Sequence, residues 1–242
     1  MRRARMLVEN AFINHGCQAL GIEKAPINTF VQETYAQCNE DLIVDAVLRA
    51  QLTRAGRDMR TLRYIEIGAN HPVQTNSTYL LNALYGATGV LVEANPALAA
   101  ILEKVRKEDK VVNCAVSTSS APTVTLHVHE KNELSSVSKD SIARFTQFGG
   151  TEKITGTVEC KNLHINDFMR QHYGPYVDYL MIDIEGLDFD CLKAMDPIFQ
   201  PTVIQCEHGG NYQRFVPILA ERGYGLLAAT DVNLIFLRRN IL

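Results

Sequence analysis

Acidic and polar residues follow several short apolar runs in this 242-residue chain. Buried apolar runs of this kind are typical of parallel strands, whose carboxyl ends meet at one edge of a sheet, where α/β proteins bind their ligands. Such side chains can bind hydroxyl groups, move a proton or coordinate a cation. The candidate site residues therefore lie in the segments 66–70, 93–95, 115–117, 183–186 and 207–209.

Asp183, Glu185 and His208 are the residues expected to carry proton chemistry. A histidine has its ordinary pKa near neutrality, so His208 can take a proton from a hydroxyl group. Asp183 and Glu185 are expected to orient the acceptor or to help hold His208 protonated. Together with Glu207, the same residues form a hard ligand set that suits Mg²⁺ or Mn²⁺, which would lower the pKa of a bound hydroxyl. Both mechanisms stay open, as does the alternative that His208 is only hydrogen-bonded in a loop.

The segment YIEIGAN (64–70) predicts a strand that runs into a tight turn at Gly68, before a helix that begins near Ser77. A dinucleotide-binding loop carries three glycines because its backbone approaches a pyrophosphate closely, and this turn has only one. A nucleoside without phosphates does not need a loop with three glycines. The turn therefore favours S-adenosylmethionine (SAM) as cofactor over a nicotinamide cofactor and an oxidoreductase.

Two acids are expected near the cofactor. Glu93 follows Gly68 by 25 residues, close to the spacing of about 20 at which an acid after the second strand reaches ribose hydroxyls. A surface carboxylate is the alternative for Glu93. Glu66 lies inside an apolar strand and needs a partner, either the ammonium of the methionine moiety of SAM or an arginine such as Arg63.

The surrounding patterns predict an α/β fold with a Rossmann-like sheet. A helical period over 40–54 precedes the first strand, and period-two alternation after the third strand indicates a β insertion. The predicted domains are an N-terminal helical extension, 1–58, and a catalytic domain, 59–242. The predicted strands are 64–67, 89–93, 111–116, 177–183 and 202–207, with insertion strands at 123–129 and 155–160 and a closing antiparallel hairpin of 224–229 and 233–238.

The polar segment 130–153 inside the insertion predicts a lid over the site. Ser135, Ser136 and Ser138 can bind a hydroxylated acceptor, and Gly149 with Gly150 offers a hinge. The alternative is a static excursion whose aromatic residues pack on the core.

Composition limits the partners of the chain. A net charge of −3 and a pI near 6.2 do not indicate the excess of basic residues that is typical of proteins that bind nucleic acid. No apolar run reaches the roughly 18 residues of a membrane span. The six cysteines contain no C-x-x-C pair, which predicts reduced thiols and a cytoplasmic protein. The sequence does not indicate an oligomeric state.

Five segments resemble the FkbM family of SAM-dependent methyltransferases, over most of the chain from about Tyr35 onward. The most specific one contains the I-D-x-E-G core followed by a C-L-x-x helix, whereas Ala36 replaces the serine usual in the first one. No role is transferred to the Glu207–Gly210 segment. The five segments are YAQCNEDLI (35–43), YIEIGANHPVQTNST (64–78), VLVEANP (90–96), NCAVS (113–117) and VDYLMIDIEGLDFDCLKAM (177–195).

The resemblance implies a class I methyltransferase sheet and methyl transfer to a hydroxyl oxygen of a small molecule, such as a sugar or a secondary metabolite. A non-catalytic SAM-fold binding module is the alternative from another class. The resemblance implies SAM contacts at Glu66, Gly68, Asn70, Glu93 and Ala115, and the ends of the strands add Ala69, Ala94, Val116 and Asp183. The predicted catalytic residues are His208, Asp183 and Glu185.

Overall fold

The computed structural model describes residues 33–131, 134–138 and 154–239. The sheets and helices described below belong to one compact unit that begins at Tyr35. Among these residues, no helix is both long enough and apolar enough to cross a membrane.

A seven-stranded sheet forms the centre of this unit, in the order β3-β2-β1-β7-β8-β10-β9. The first five strands in that order are parallel, and β10 runs antiparallel to both of its neighbours. The predicted α/β fold with its mostly parallel sheet and closing hairpin is thereby confirmed. The strands are β1 Arg63–Ile67, β2 Thr88–Glu93, β3 Lys110–Asn113, β7 Tyr179–Ile182, β8 Val203–Glu207, β9 Tyr224–Ala229 and β10 Asn233–Arg238.

A second, three-stranded sheet, in the order β4-β6-β5, forms the insertion. Its strands are β4 Ala115–Ser117, β5 Thr123–His129 and β6 Ile154–His164. The strand predicted over 111–116 is therefore wrong as a single strand, because the chain bends at Cys114. β3 pairs with β2 in the central sheet, whereas β4 pairs with β6.

Helices cover both faces of the central sheet, which explains why its parallel strands are apolar throughout. Successive residues of β1 point to opposite faces of the sheet. Tyr64 packs with the first helix, α1 (Glu40–Arg54), whereas Ile65 packs with the fourth helix, α4 (Ile165–His172). α1 has the predicted bounds and, through Val44, Leu48 and Leu52, belongs to the same hydrophobic cluster as β1. The helices are α1 Glu40–Arg54, α2 Tyr79–Tyr85, α3 Pro96–Val105, α4 Ile165–His172, α5 Asp188–Ala194 and α6 Phe215–Glu221.

Helix α4 was not predicted, although the sequence carries its signal. Ile165, Phe168 and Met169 are spaced at i, i+3 and i+4, and all three are buried. The His164 imidazole Nδ1 accepts a hydrogen bond of 3.2 Å from the Asn166 N–H and caps the helix. Residues 1–32, most of the predicted N-terminal extension, lie outside the described residues.

Candidate active site

The turn after β1 is closed by Gly68, whose φ of +91° lies in the left-handed region. A Cβ atom at this position would overlap the backbone carbonyl oxygen of Asp183. The Gly68 and Ala69 N–H groups both donate to the carbonyl oxygen of Val92, at 3.0 and 2.9 Å. The turn is therefore held between the ends of β2 and β7, and glycine is the residue that can occupy it.

A cavity of about 250 Å³ lies beyond the carboxyl ends of β1, β2, β7 and β8. It also reaches β4 and the segment 134–137 of the insertion. The structure brings together most of the residues that the sequence predicted for the site. Those that line the cavity are Gly68, Asn70, Glu93, Ala94, Ala115, Val116, Asp183 and Glu185.

Glu93 presents a buried carboxylate at the end of β2, with 8% of the residue exposed. Its Oε2 accepts from the Asn70 N–H at 2.8 Å, and its Oε1 accepts from the Asn95 N–H at 2.7 Å. Burial raises the pKa of Glu93 above its ordinary value, while these backbone hydrogen bonds act to lower it. A carboxylate has about four acceptor sites, so capacity remains for the two hydroxyls of a ribose.

Three carboxylates converge at the ends of β7 and β8. Asp183, Glu185 and Glu207 each offer one oxygen, and these oxygens lie within 4.8 Å of one another. Burial raises the pKa of Asp183 well above its ordinary value, and the nearby charges of Glu207 and Asp188 add to the shift. The Asp183 carboxyl group therefore keeps a proton to a higher pH than an ordinary aspartate does.

The turn that carries Glu185 is fixed by Asp188. The Asp188 carboxylate accepts from the N–H groups of Ile184 and Gly186, at 3.1 and 3.0 Å. Burial raises the pKa of Asp188 to about 6. Glu185 has a φ of +52°, an uncommon conformation for a residue other than glycine. The position of Glu185 in the cavity thus depends on a turn that the Asp188 side chain holds.

Glu66, predicted as a cofactor residue, does not line the cavity. Its Oε1 accepts from the Ser77 N–H at 3.0 Å, and its Oε2 accepts from the Thr78 hydroxyl at 2.6 Å. Burial raises the pKa of Glu66 to about 7. Arg63, the alternative partner considered for Glu66, donates to the Thr88 hydroxyl instead. Ala69, also predicted at the cofactor, is buried and lies outside the lining residues.

His208, the predicted base, is also absent from the lining residues. Its Nδ1 accepts from the Gly210 N–H at 3.0 Å, so the ring proton lies on Nε2, which faces the carbonyl oxygen of Thr230 at 3.3 Å. The His208 N–H donates to the Val232 carbonyl and continues the pairing of β8 with the closing hairpin. This pairing directs His208 toward the hairpin turn, and the structure does not bring it to the three carboxylates.

The cavity also contains residues that sequence reasoning did not assign to the cofactor or to catalysis. Ser135 and Ser136, predicted to bind an acceptor, do line it, and the Ser136 hydroxyl donates to the Glu185 carbonyl at 2.9 Å. The rest of the predicted lid, including 139–153, lies outside the described residues. Gln37 could have been found in the segment YAQCNEDLI, whereas nothing in the sequence indicates the left-handed Thr75. The residues missed are Gln37, Thr75, Val92, Cys114, Leu126, Leu134, Val137, Met181, Leu187 and Val232.

The fold and the position of the cavity, together with the family to which the chain belongs, define a SAM-dependent methyltransferase. A family model, the Methyltransferase FkbM domain, matches residues 66–226, about two thirds of the chain. The protein therefore belongs to the FkbM methyltransferase family, and the predicted family is confirmed. No curated protein sequence matches this chain.

Three solved structures are similar to this chain. The methyltransferase FkbM from Methylobacillus flagellatus is 12% identical, with a TM-score of 0.43 over 96% of this chain and 72% of that one. The O-methyltransferase from Bacillus cereus in complex with SAH (S-adenosylhomocysteine) is 14% identical, with a TM-score of 0.41 over 94% and 88%. MtNAS in complex with MTA and tNA is 13% identical, with a TM-score of 0.36 over 83% of this chain and only 62% of its own length.

Proposed function

We propose that the protein transfers the methyl group of SAM to a hydroxyl oxygen of a small molecule. The observation that carries the proposal is the convergence of Asp183, Glu185 and Glu207 in the cavity. A hydroxyl group is a weak nucleophile unless a base accepts its proton. In the reaction the S–CH₃ bond breaks, the O–CH₃ bond forms, SAH leaves, and the hydroxyl proton passes to the protein.

Asp183 is the proposed base, in place of His208. Its raised pKa makes it a stronger base than an ordinary aspartate, and the neighbouring carboxylates favour the proton once it has been transferred. His208 has both ring nitrogens in hydrogen-bond contact with the backbone. Glu185 and Glu207 are placed to orient the acceptor hydroxyl.

The arrangement of the strands supports separate places for cofactor and acceptor. Glu93 ends β2, whereas Asp183 follows β7 and Glu207 ends β8. Three strand spacings of about 4.8 Å separate β2 from β8. We assign the ribose to the end of the cavity at Glu93, which we call the cofactor end. We assign the acceptor hydroxyl to the end at Asp183, Glu185 and Glu207, which we call the acceptor end. No arginine, lysine or histidine is among the described residues that line the cavity. The described lining therefore carries acidic side chains without basic ones. This excess of acidic groups supports a neutral or cationic hydroxylated acceptor, such as a sugar, and disfavours nucleic acid.

The three carboxylates are also suitable oxygen ligands for a divalent cation. Mg²⁺ or Mn²⁺ bound by Asp183, Glu185 and Glu207 would lower the pKa of a coordinated hydroxyl. A metal requirement is the second candidate mechanism, and chelation separates the two. The cytoplasmic location expected from the cysteines stays a prediction.

The experiment begins with thermal-shift assays of SAH, NAD and NADP, in which we expect stabilisation by SAH alone. A panel of hydroxylated small molecules is then incubated with SAM, and the methylated product is located by mass spectrometry and NMR. With that acceptor, Asp183→Asn should lower kcat by about 10²–10⁴-fold while SAH binding is kept. Asp190→Asn, an exposed aspartate on α5, is the control and should keep full activity.

Methylation at nitrogen or carbon only would refute the proposed O-methylation. Full activity of Asp183→Asn would remove this residue as the base. Loss of turnover in EDTA, restored by Mg²⁺ or Mn²⁺, would replace the base mechanism with the metal mechanism.

A further inference from the structure

Arg106 is a buried cation close to the cofactor loop but outside the cavity lining. It follows α3 directly and is only 2% exposed. Its guanidinium forms an ion pair with Asp109, with 2.8 Å between Nη2 and Oδ2. Nη2 also donates to the Tyr64 hydroxyl at 2.9 Å. Burial acts to lower the pKa of Arg106, but Tyr64, Asp109 and Glu66 outweigh it and raise the pKa, so the guanidinium stays charged.

The guanidinium also contacts the segment 68–78, which we call the cofactor loop. Nη1 donates to the Pro72 carbonyl at 3.2 Å and to Asn76 Oδ1 at 3.0 Å. Nη2 donates to the Thr78 hydroxyl at 3.2 Å. One cation thus holds three points of a single loop, none of which lies in the cavity.

Asn76 transmits this constraint to the cavity. Because its Oδ1 accepts from Arg106, the orientation of the carboxamide is fixed, and Nδ2 donates to the Ala69 carbonyl at 3.2 Å. Ala69 stands between Gly68 and Asn70, which both line the cavity. Two consecutive hydrogen bonds therefore connect the buried guanidinium to the turn at the cofactor end.

The backbone of the loop explains why such a constraint is needed. Among the described residues other than glycine, four have a positive φ: Asn39, Asn70, Thr75 and Glu185. The last three line the cavity. A conformation of this kind is strained and persists only where the surroundings impose it. The acceptors of Arg106 at Pro72 and Asn76 flank Thr75, a β-branched residue with a φ of +51°.

We propose that Arg106 is a positioning residue that holds the cofactor loop in the shape that binds SAM. Glycines shape a dinucleotide-binding loop, whereas here a buried ion pair shapes a loop whose sole glycine is Gly68. The proposal rests on the SAM dependence of the family and not on the identity of the acceptor atom. Its test therefore uses SAH alone, and its failure is distinguishable from a failure of the proposed O-methylation.

The test compares Arg106→Lys with Arg57→Lys. Lysine keeps the charge, but its compact ammonium cannot reach Asp109, Tyr64 and the loop together. Arg57 forms a bidentate pair with the buried Asp178, at 2.6 and 2.9 Å, next to the amino end of β7 and away from the cavity. Both variants thus disturb an arginine–aspartate pair, but only one of them contacts the cofactor loop.

We expect Arg106→Lys to weaken SAH binding by about tenfold or more in calorimetry, because the hydrogen bonds that orient the loop are lost. Arg57→Lys should lower the thermal midpoint yet bind SAH within about twofold of the wild type. Unchanged SAH affinity in Arg106→Lys, or an equal loss in both variants, would overturn the proposal.

Asn76→Asp tests the connection itself and keeps the proposal testable if Arg106→Lys does not fold. The aspartate keeps an acceptor oxygen for Arg106 but loses the donor to the Ala69 carbonyl. We expect a folded protein with SAH affinity reduced by about tenfold. Wild-type affinity in this variant would show that the connection from Arg106 through Asn76 to Ala69 does not position the cofactor loop, and would overturn the proposal.

Discussion

The two ends of the cavity differ in how their polar groups are satisfied. At the cofactor end, Glu93 receives one backbone N–H on each oxygen, and the turn at Gly68 is bonded to Val92. At the acceptor end, the carboxylates of Asp183 and Glu207 approach each other, and burial together with this proximity raises the pKa of Asp183. The cofactor end is shaped by the backbone before a ligand arrives, whereas the acceptor end concentrates negative charge that a proton or a cation would stabilise.

This difference predicts which substitutions affect which ligand. Changes at the cofactor end should alter SAH binding, because that end provides fixed geometry. Changes at the acceptor end should alter turnover, because that end holds Asp183, the base that we propose. The predictions below run from the largest expected effect to the smallest.

Gly68→Ala should have the largest effect. The added Cβ meets the Asp183 carbonyl, and the left-handed φ adds strain, so we expect SAH binding to fall by about 100-fold or more in calorimetry. Gly86→Ala is the matched control, because Gly86 has a φ of +64° but no atom within 4 Å of the added Cβ. The control should lose about 1–2 kcal/mol of stability and keep its SAH affinity. Equal affinities in the two variants would exclude close packing as the reason for this glycine.

Glu93→Gln should have an intermediate effect, confined to the cofactor end. The amide nitrogen would face the N–H of Asn70 or Asn95, and a charged acceptor for the ribose would be lost. SAH affinity should fall by about tenfold or more. Glu103→Gln, on the exposed face of α3, is the control. An unchanged dissociation constant for Glu93→Gln would remove Glu93 from the cofactor site.

His208→Ala should have the smallest effect. The imidazole contacts the backbone at Gly210 and Thr230 and does not line the cavity, so kcat should stay within about threefold of the wild type. A fall of about 10²–10⁴-fold would restore His208 as the base. In that case the segment after β8 would have to rearrange when the ligands bind.

Local sequence patterns predicted the parts of the molecule that depend on local structure. The apolar runs located the strands of the central sheet, and the helical period gave α1 its bounds. Because the ends of adjacent parallel strands must meet, the sequence also placed Gly68, Glu93 and Asp183 together. Helix α4 was missed although Ile165, Phe168 and Met169 indicate it.

The remaining differences between the predictions and the structure concern contacts between distant residues. His208 is directed away from the cavity by the pairing of β8 with β10, which no local pattern reveals. The carboxylate of Glu66 is satisfied by Ser77 and Thr78, eleven and twelve residues further along the chain. The bend at Cys114 depends on a pairing partner in β6, far along the sequence.

The burial of the cofactor loop has one further consequence, which concerns glycosylation. Asn76, Ser77 and Thr78 match the acceptor sequence for asparagine-linked glycans. All three are buried in the fold, and the Asn76 amide nitrogen that would carry a glycan donates to the Ala69 carbonyl. The folded chain therefore cannot be glycosylated at Asn76, and a chain that received a glycan there before folding could not bury Asn76 in this fold.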